Sequence, residues 1–589
     1  MVRSSTPRPE SETFFKPSTS PASAGDLGKL KGVAKREGAR ETVEAIVVAF
    51  IFALLVRGFE AEAFVIPTGS MAPTLMGRHK EVNCPQCGYL YAVNASEEVD
   101  GNTGSPTSSR VYSGMCGNCR FQTKVADEPS FKGDRILVLK FLYDMAFLPG
   151  SSGPKRWDVV VFRYPEEPEI SYIKRLVGLP GETLRIWYGD VFIKGSGSEE
   201  FLLERKPMEH QRAMQMMVYD DAHRAKSLEG KAEWRRWTGG AWVEEANKPG
   251  TYTATPKGEE WAEIRYRNMV PDPGEWQTIE AGEKLSREPR PTLITDFYSY
   301  NTNLGADHSD LSGDVRREQE NAWLQPHWVG DLTISGRLDA EGATGSVRLE
   351  LIEGGVSNRC EIDLATGVAT LLHGKAEVGR ETMGVKVGRG RHDFEFANVD
   401  NKLSLLVDGR SVFGEGRTYE DEPGKHPAPT EADLEPVRVA AKGAKVALSD
   451  LVVKRDIYYT LNPGGIDYKN RFDSEFPRNA IELFAMLAEP KRVAALGPLE
   501  WVDYPIGVER FMMLGDNSPR SKDSRGWSLA DREWDPSGRE RWEVPRKMLT
   551  GKAFCIYWPH GKPFWPNIKL SPDLWVPFRP YFERMRLIH

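Results

Sequence analysis

Two residues of this chain have the type and setting that nucleophilic catalysis requires. Ser70 lies in the run Pro67–Leu75, on a turn after Gly69, where its hydroxyl can project from the end of the apolar strand predicted at 63–66. A serine is a weak nucleophile at neutral pH unless a base lies within hydrogen-bond reach. None of the ten histidines has a comparable setting, and the sequence contains neither an HExxH nor a GxSxG motif. The histidines therefore offer no evident base for Ser70.

Lys174 is the candidate base. A lysine amine can accept a proton once burial disfavours its charged form. The run Ser171–Val177 predicts a strand, and Gly178–Gly181 supplies the Gly and Pro residues that end it. A rigid strand can present the amine from a partly buried edge. An isolated lysine in a strand is more often a solvated surface charge, so this assignment depends on the surrounding motifs.

An apolar segment precedes the Ser70 turn. Residues 45–56 carry no charge, and 43–59 makes 17 residues, near the lower limit of about 17–25 for a helix that spans a bilayer. A buried core helix is one alternative. A cleaved signal peptide is another, because Ala61-Glu62-Ala63 has a small-x-small pattern. We expect a retained transmembrane helix with a cytoplasmic N-terminus, because basic residues precede it: Lys29, Lys31, Lys35, Arg36 and Arg40.

Three separated runs together resemble the type I signal peptidase family, the serine–lysine proteases that remove export signals. These runs are Pro67–Met71, Tyr172–Arg175 and Gly515–Arg525, and the resemblance covers roughly 41–195 and 506–560. It implies that Ser70 attacks the scissile carbonyl and that Lys174 is the general base. An acyl-enzyme would form on Ser70, and Lys174 would then activate water to release it. No cofactor is expected for this chemistry.

The same resemblance implies roles for four further residues. The backbone N–H of Ser70 and the hydroxyl of Thr68 would form the oxyanion hole, where each donor contributes about 2.7–4 kcal/mol. Ser521 would orient the Lys174 amine, and Asp523 and Arg525 would form a structural ion pair. Two further runs resemble family strands, and Trp157 stands beside one of them where the family usually has glycine. These runs are Gly133–Val138 and Asp158–Phe162.

The resemblance also implies the partners and the location. The substrates would be signal peptides of preproteins with small residues at the first and third positions before the cut. An extended substrate would add as a strand beside residues 63–69 and 171–174. Membrane lipid would surround the anchor. We therefore expect a single-pass protein of the bacterial inner membrane, with its catalytic domain on the extracytoplasmic side.

Four cysteines form two CxxC pairs, Cys84/Cys87 and Cys116/Cys119, with 28 residues (88–115) between the inner two. Two such knuckles supply a tetrahedral four-thiolate site, which predicts a structural Zn²⁺ in a zinc ribbon. The alternative is disulfides, because the unit would lie outside the reducing cytosol. Gly88 and Gly117 are expected to let the backbone approach sulfur. The two remaining cysteines, Cys360 and Cys555, are expected to be bystanders.

A large insertion separates the two parts of the resemblance. Residues 196–326 are rich in Trp and charge, where packing within a β region is favoured over sugar or membrane binding. Residues 327–456 show apolar residues alternating with polar ones, which indicates an antiparallel sandwich. Asp408-Gly409 after Val407 predicts a hairpin there. This part resembles concanavalin-type jelly rolls of the laminin G sort. The resemblance implies glycan or protein binding, and a structural spacer is an equal alternative.

The predicted fold is mainly β: a signal-peptidase-type core with an N-terminal transmembrane helix, an inserted zinc ribbon and an inserted β-sandwich. A net charge of −7 provides no electrostatic basis for nucleic-acid binding. Two other functions compete, a self-cleaving regulator with a Ser–Lys dyad and a non-catalytic membrane-anchored glycan- or protein-binding module. The predicted segments are a disordered tail (1–40), transmembrane helix (41–59), first core part (60–195, with the ribbon at 80–125), β-rich insertion (196–326), jelly roll (327–456), connecting segment (457–505), second core part (506–568) and C-terminal tail (569–589).

Overall fold

The computed structural model describes most of the chain after residue 60 and one short segment before it. The described residues are 42–50, 61–100, 103–140, 143, 153–256, 258–303, 325–341, 344–384, 389–420, 426–462, 465–469, 476–527, 540–563, 569–571, 574–575 and 578–589. The chain divides into two units, Met1–Ala61 and Glu62–His589.

In the first unit, residues 42–50 form a helix that exposes the side chains of Val43, Ile46 and Phe50. No helix in the described ranges is long and apolar enough to cross a membrane. The predicted transmembrane segment 41–59 lies outside the described residues except for 42–50. The predicted tail 1–40 lies entirely outside them.

A seven-stranded sheet joins chain segments that lie far apart in the sequence. Its strands run, in spatial order, Ala61–Val65, Arg135–Leu139, Leu549–Trp558, Val159–Arg163, Ser171–Gly178, Arg510–Leu514 and Glu543–Pro545. Val159–Arg163 is near the middle, and four of its five residues are buried. This explains its run of β-branched residues, because a central strand is covered on both faces. We call this sheet the core sheet.

Five smaller sheets are also formed by described residues outside the core sheet and the insertion's two large sheets. A four-stranded sheet has the order Leu202–Leu203, Asp190–Lys194, Thr183–Trp187 and Val502–Pro505, and a three-stranded sheet has the order Leu90–Asn94, His79–Asn83 and Ser130–Phe131. Three two-stranded sheets pair Ser113–Met115 with Gln122–Lys124, Gly561–Pro563 with Phe578–Pro580, and Lys569–Ser571 with Leu574–Trp575.

The insertion forms a β-sandwich. One sheet contains Trp242–Glu244, Tyr252–Ala254, Lys445–Arg455, Leu332–Glu341, Arg389–Val399, Lys402–Val407 and Arg410–Ser411 in order, with Met216–Asp220 and Arg417–Thr418 paired at its sides. The other has the order Trp237–Thr238, Ala262–Tyr266, Val437–Lys442, Ser346–Glu353, Val356–Asp363, Val368–His373 and Ala376–Thr382. Both sheets contribute to one apolar core.

The alternating pattern predicted this core correctly. Leu332, Ile334, Val347, Phe396 and Leu405 are all buried in it. The expected hairpin is also present: Val407 pairs with Arg410 across Asp408 and Gly409, which have φ values of 50° and 73°. Two consecutive positive φ angles match the twist of a tight hairpin, and Asp-Gly adopts them readily.

The predicted boundary between 326 and 327 does not separate two sheets. Strands at Met216–Asp220 and Tyr252–Ala254 pair with Lys445–Arg455, and Ala262–Tyr266 pairs with Val437–Lys442. The Trp-rich part of the insertion thus completes the sandwich. The sequence pattern missed this because these strands are short and interrupted by turns, so their alternation is weak.

Helices are few and short among the described residues of the second unit. The α-helices are Met208–Met214, Pro273–Glu280, Ala480–Leu487 and Pro490–Ala495. The 3₁₀ turns are Gly69–Met71, Ser96–Glu98, Lys226–Leu228, Ala232–Trp234, Ser299–Asn301, Glu431–Leu434, Ser518–Arg520, Arg546–Met548 and Phe582–Arg584. Asp272 caps the second helix in a reciprocal capping box with Glu275.

Candidate active site

The structure brings Ser70 and Lys174 together. Ser70 lies in the 3₁₀ turn Gly69–Met71, which follows the edge strand of the core sheet. The Lys174 Nζ donates a hydrogen bond of 2.7 Å to the Ser70 Oγ. Both side chains are buried, at 8% exposure for Ser70 and 4% for Lys174. The distance is short enough for direct proton transfer between the hydroxyl and the amine.

Burial of Lys174 follows from its place on the strand Ser171–Gly178. The strand is exposed or half-buried up to Ile173 and fully buried from Lys174 onwards. Desolvation lowers the pKa of Lys174 to about 8, with the charge of Arg525 acting in the same direction and the carboxylates of Asp523 and Asp516 opposing it. About a tenth of the amine is therefore unprotonated at pH 7, far more than for an ordinary lysine. The amine also donates a 2.9 Å hydrogen bond to the Ile173 carbonyl.

A buried ion pair lies next to this amine. The Arg175 guanidinium donates two hydrogen bonds of 2.7 Å to the Asp516 carboxylate, and both side chains have 0% exposure. The hydroxyl of Thr74 also donates to this carboxylate. Arg175 further donates to the Trp157 carbonyl at 2.6 Å. The pair links the Lys174 strand to the segment that follows Ser70.

Asn517 holds the turn that carries Ser70. Its Nδ2 donates to the Gly69 carbonyl at 3.0 Å, and its backbone N–H donates to the Ser70 carbonyl at 3.1 Å. Asn301, from the insertion, exchanges side-chain hydrogen bonds of 2.7 and 2.8 Å with Asn517. The ring of Tyr300 packs so closely on Gly69 that a Cβ there would lie 2.2 Å from it. The insertion therefore supports the turn directly.

Thr74, Asn301 and Tyr300 were not singled out by the sequence. Thr74 lies in the same run as Ser70, so that run was the available signal. Asn301 and Tyr300 had no such signal, because each contacts a residue more than 200 positions away in the sequence. The separation between Asn301 and Asn517 is 216 positions.

The remaining predicted site residues lie around the same centre. Thr68 is exposed at the start of the Ser70 turn, and its side chain makes no capping hydrogen bond. Ser521 is buried, and its Oγ has no hydrogen-bond partner within the described structure. A Cβ on Gly515 would lie 2.1 Å from that Oγ and 2.5 Å from the Ser70 carbonyl oxygen. The Ser521 side chain and the Ser70 backbone therefore both pack against Gly515.

Asp523 and Arg525 form a fully buried ion pair at 2.6 Å. Asp523 also accepts a 2.9 Å hydrogen bond from the Gly515 N–H. Arg525 donates to Ser518 at 2.6 Å. These contacts join residues at both ends of the loop Gly515–Arg525 and so stabilise its conformation.

Trp157 adopts the backbone conformation that glycine would favour. Its φ is 72°, in the left-handed region that bulky residues rarely enter. Its N–H donates to the Leu176 carbonyl at 2.7 Å, and its carbonyl accepts from Arg175. The ring is 2% exposed. The turn shape is therefore compatible with Trp, because burial of the ring and two strong hydrogen bonds offset the backbone strain.

The four predicted cysteines form one buried cluster. Their sulfurs all lie within 4.8 Å of one another, and Cys84–Cys119 and Cys87–Cys116 are each 3.6 Å apart. A disulfide needs about 2.05 Å between sulfurs. Four thiolates about 2.3 Å from one tetrahedral ion lie about 3.8 Å apart, so the cluster fits Zn²⁺.

Each cysteine pair lies on a tight turn with matching hydrogen bonds. The N–H of Gly88 donates to the Cys84 carbonyl and that of Arg120 to the Cys116 carbonyl. Gly88 and Arg120 have φ values of 70° and 64°. In the second turn the residue with positive φ is therefore Arg120, and Gly117 has no positive φ.

The sequence of this chain is similar to one class of protease. The family model described as "Signal peptidase, peptidase S26" matches residues 112–245, a range that includes Lys174 and begins after Ser70. The curated relatives that this chain resembles carry the name signal peptidase I.

Three curated relatives illustrate the extent of the similarity. Signal peptidase I of Pseudomonas aeruginosa is 55% identical over 60 residues, which is 9% of this chain and 21% of the relative. That of Pseudomonas fluorescens is 45% identical over 83 residues, 13% of this chain and 29% of the relative. Signal peptidase I P of Bacillus subtilis subsp. natto is 26% identical over 178 residues, 30% of this chain and 62% of the relative. The chain thus spans less than two thirds of each.

Solved structures match part of this chain at low similarity. The carbohydrate binding module CBM66 from Bacillus subtilis has 8% identity and a TM-score of 0.21, over 38% of this chain and 96% of that one. A Bacillus subtilis protein of unknown function with a galectin-like fold has 8% identity and a TM-score of 0.23, over 41% of this chain and 98% of that one.

Proposed function

We propose that this protein is a type I signal peptidase, a serine endopeptidase that cleaves signal peptides from exported preproteins. The 2.7 Å contact between Lys174 Nζ and Ser70 Oγ carries the proposal. The neutral amine takes the hydroxyl proton as Ser70 attacks the scissile carbonyl. The protonated amine then gives this proton to the leaving amine, and Lys174 later activates the water that hydrolyses the acyl-enzyme.

The oxyanion that forms on attack needs donors held in place beforehand. The Ser70 N–H and the Thr68 hydroxyl are the proposed donors. Support comes from the short turn that joins them and from the lack of a capping bond on Thr68. Ser521 is the proposed positioning residue for the amine. Its buried Oγ has no hydrogen-bond partner in the described chain and is therefore available to accept from Lys174.

The sheet leaves space for an extended substrate. Ala61–Val65 is an edge strand of the core sheet. The strand Ser171–Gly178 pairs with Arg510–Leu514 only from Arg175 onwards, so residues 171–174 have one side not covered by that strand. A peptide can therefore add its backbone hydrogen bonds beside both segments. The exposed side chain of Val65 offers apolar surface there.

The proposed location is the bacterial inner membrane, with a single N-terminal anchor and an extracytoplasmic catalytic unit. Support comes from the uncharged run 45–56 and from the apolar side chains exposed on the helix at 42–50. Exposed apolar residues of this kind require a partner, and membrane lipid is the partner proposed here.

A direct assay tests the protease. The full chain in detergent is mixed with a preprotein bearing an Ala-x-Ala site, alongside Ser70→Ala and Lys174→Ala. We expect cleavage after the second alanine by the parent and essentially none by either variant. Ser198→Ala and Lys442→Ala are matched controls outside the site and should retain full activity. Equal cleavage by all five proteins would exclude the dyad.

We also propose that the four cysteines bind a structural Zn²⁺. Four thiolates leave no open coordination position, so the ion supplies folding energy and takes no part in catalysis. Zinc content and thermal stability of the parent and Cys84→Ser test this. The variant should lose one zinc and unfold at lower temperature. A parent that contains disulfides in place of free thiols after gentle purification would favour the alternative.

A second candidate function, carbohydrate binding, is favoured by a cavity of about 530 Å³ in the insertion. Trp234, Trp237, Trp242 and Tyr252 line it together with Arg224. Small-molecule pockets are lined mainly by apolar and aromatic side chains with a few polar groups, and this lining has that composition. Titration of the protein with a panel of soluble glycans tests it: Trp234→Ala should abolish binding, and Trp501→Ala, an exposed aromatic, should leave it unchanged. No binding of any glycan by the parent would leave the sandwich as a spacer.

A further inference from the structure

Two histidines and a glutamate form a second cluster that the proposed protease chemistry does not use. His79 and Glu81 lie on the strand His79–Asn83, two residues apart and therefore on the same face. His560 follows the core-sheet strand Leu549–Trp558 by two residues. One ligand atom from each of the three residues lies within 4.8 Å of the others. Segments 479 positions apart in the sequence thus converge on one point.

The hydrogen bond of His79 selects the nitrogen that remains available. Its Nδ1 lies 2.7 Å from the Gly77 carbonyl oxygen, which can only accept. Nδ1 must therefore carry the proton, and Nε2 keeps its lone pair in the neutral ring. Burial lowers the pKa of His79 to about 4, which agrees with a neutral ring. A backbone carbonyl that fixes the tautomer in this way is the usual second contact of a metal-bound histidine.

His560 provides the independent observation. Its ring is 7% exposed, yet neither ring nitrogen has a hydrogen-bond partner among the described residues. The Glu81 carboxylate lies 3.2 Å from its Nε2 without hydrogen-bond geometry. A buried polar atom without a partner is rare in native structures, and a bound ion is one of its recognised explanations. His560 therefore has ring nitrogens available to bind an ion beside Glu81 and His79.

We propose that His79, Glu81 and His560 bind a divalent transition-metal ion, with Zn²⁺ the best match. Two imidazoles and one carboxylate at about 2.0–2.2 Å are a common zinc ligand set, and water would complete the tetrahedron. The site connects the strand His79–Asn83, which precedes Cys84, with the residues that follow the core-sheet strand Leu549–Trp558. Gly77, which accepts from His79, packs on Thr68: a Cβ at Gly77 would lie 2.1 Å from the Thr68 carbonyl carbon. The ion therefore reinforces the backbone that supports the Ser70 turn.

Metal counting on the full chain, purified in detergent without a metal-binding tag, tests the site. The parent and His560→Gln are saturated with Zn²⁺, freed of excess ion and compared by elemental analysis. The parent should hold one zinc more per chain than His560→Gln or Glu81→Gln. His392→Gln is the matched control, because His392 is paired with Asp408 on the sandwich, and it should hold as much zinc as the parent. Equal zinc in the parent and His560→Gln overturns the proposal.

If the variants do not fold, zinc-edge X-ray absorption of the unmodified parent still tests the site, because it reports the atoms that surround the bound zinc. With both sites filled, the average zinc should have about two sulfur and two nitrogen or oxygen neighbours. Four sulfur neighbours alone would show that only the cysteine site binds and would overturn the proposal. Neither readout depends on proteolysis, so the metal site can fail or succeed independently of the proposed function.

Discussion

Arg175 and Asp516 are held together by two hydrogen bonds of 2.7 Å in a place without solvent exposure. Each partner is next to a residue of the candidate site: Arg175 follows Lys174, and Asp516 precedes Asn517, which bonds the Ser70 turn. The ion pair therefore ties the strand that carries Lys174 to the loop that holds the Ser70 turn.

Removing one partner of this pair should destabilise the protein strongly. Asp516→Ala leaves the Arg175 charge buried and uncompensated, and such changes cost about 3–5 kcal/mol. Denaturant unfolding measures the difference. Asp503→Ala is the matched control, because Asp503 binds Arg185 in the same two-bond geometry at a partly exposed site. There the expected cost is below about 1 kcal/mol, and equal effects would contradict the role of burial.

Cleavage should depend on pH through Lys174. The pKa of this amine is lowered to about 8, and only its neutral form can accept the Ser70 proton. The value of kcat/KM should therefore rise tenfold per pH unit below about 8 and level off above it. A pH profile with a short peptide substrate measures this. A rate that falls with rising pH over the same range would exclude a lysine base.

Replacing Lys174 by Met should abolish cleavage and stabilise the fold. The folded-state pKa lies below the ordinary value of 10.5, so the unfolded chain binds the proton more tightly. The charged lysine thus opposes folding below about pH 8, and this cost disappears as the pH rises past 10.5. Lys174→Met should gain on the order of 1–3 kcal/mol at pH 7 and progressively less at higher pH. Unfolding of both proteins at several pH values checks the sign, and a gain that is the same at all pH values would assign it to packing alone.

Gly515→Ala should inactivate the enzyme through sterics. The added Cβ would lie 2.1 Å from the Ser521 Oγ and 2.5 Å from the Ser70 carbonyl oxygen, so one of the two must move. Displacement of a catalytic group by about 1 Å can cost about 100-fold in rate. Gly195→Ala is the control, since nothing lies within 4 Å of a Cβ there. Unchanged kcat in Gly515→Ala would show that the loop yields without moving Ser70.

Local patterns in the sequence were sufficient for the longer strands of the sandwich. Hydrophobic alternation identified the strands at Leu332–Glu341 and Lys402–Val407, because side chains on a strand alternate between core and solvent. Turn chemistry identified the Asp408–Gly409 hairpin and the two cysteine turns. The run around Ser70 and the run around Lys174 were recognised by resemblance, and their roles stay predictions.

The tertiary structure alone decided which distant segments meet. Three contacts between distant segments have no periodic or local signal in the sequence. They are the pairing of Asn301 with Asn517, the entry of Met216–Asp220 into the sandwich, and the convergence of His79 with His560. The sequence determines which residues prefer a strand, a turn or the interior, because those preferences act over a few neighbouring positions. The depth at which Lys174 is desolvated, and hence its capacity to act as a base, depends on packing between segments hundreds of residues apart.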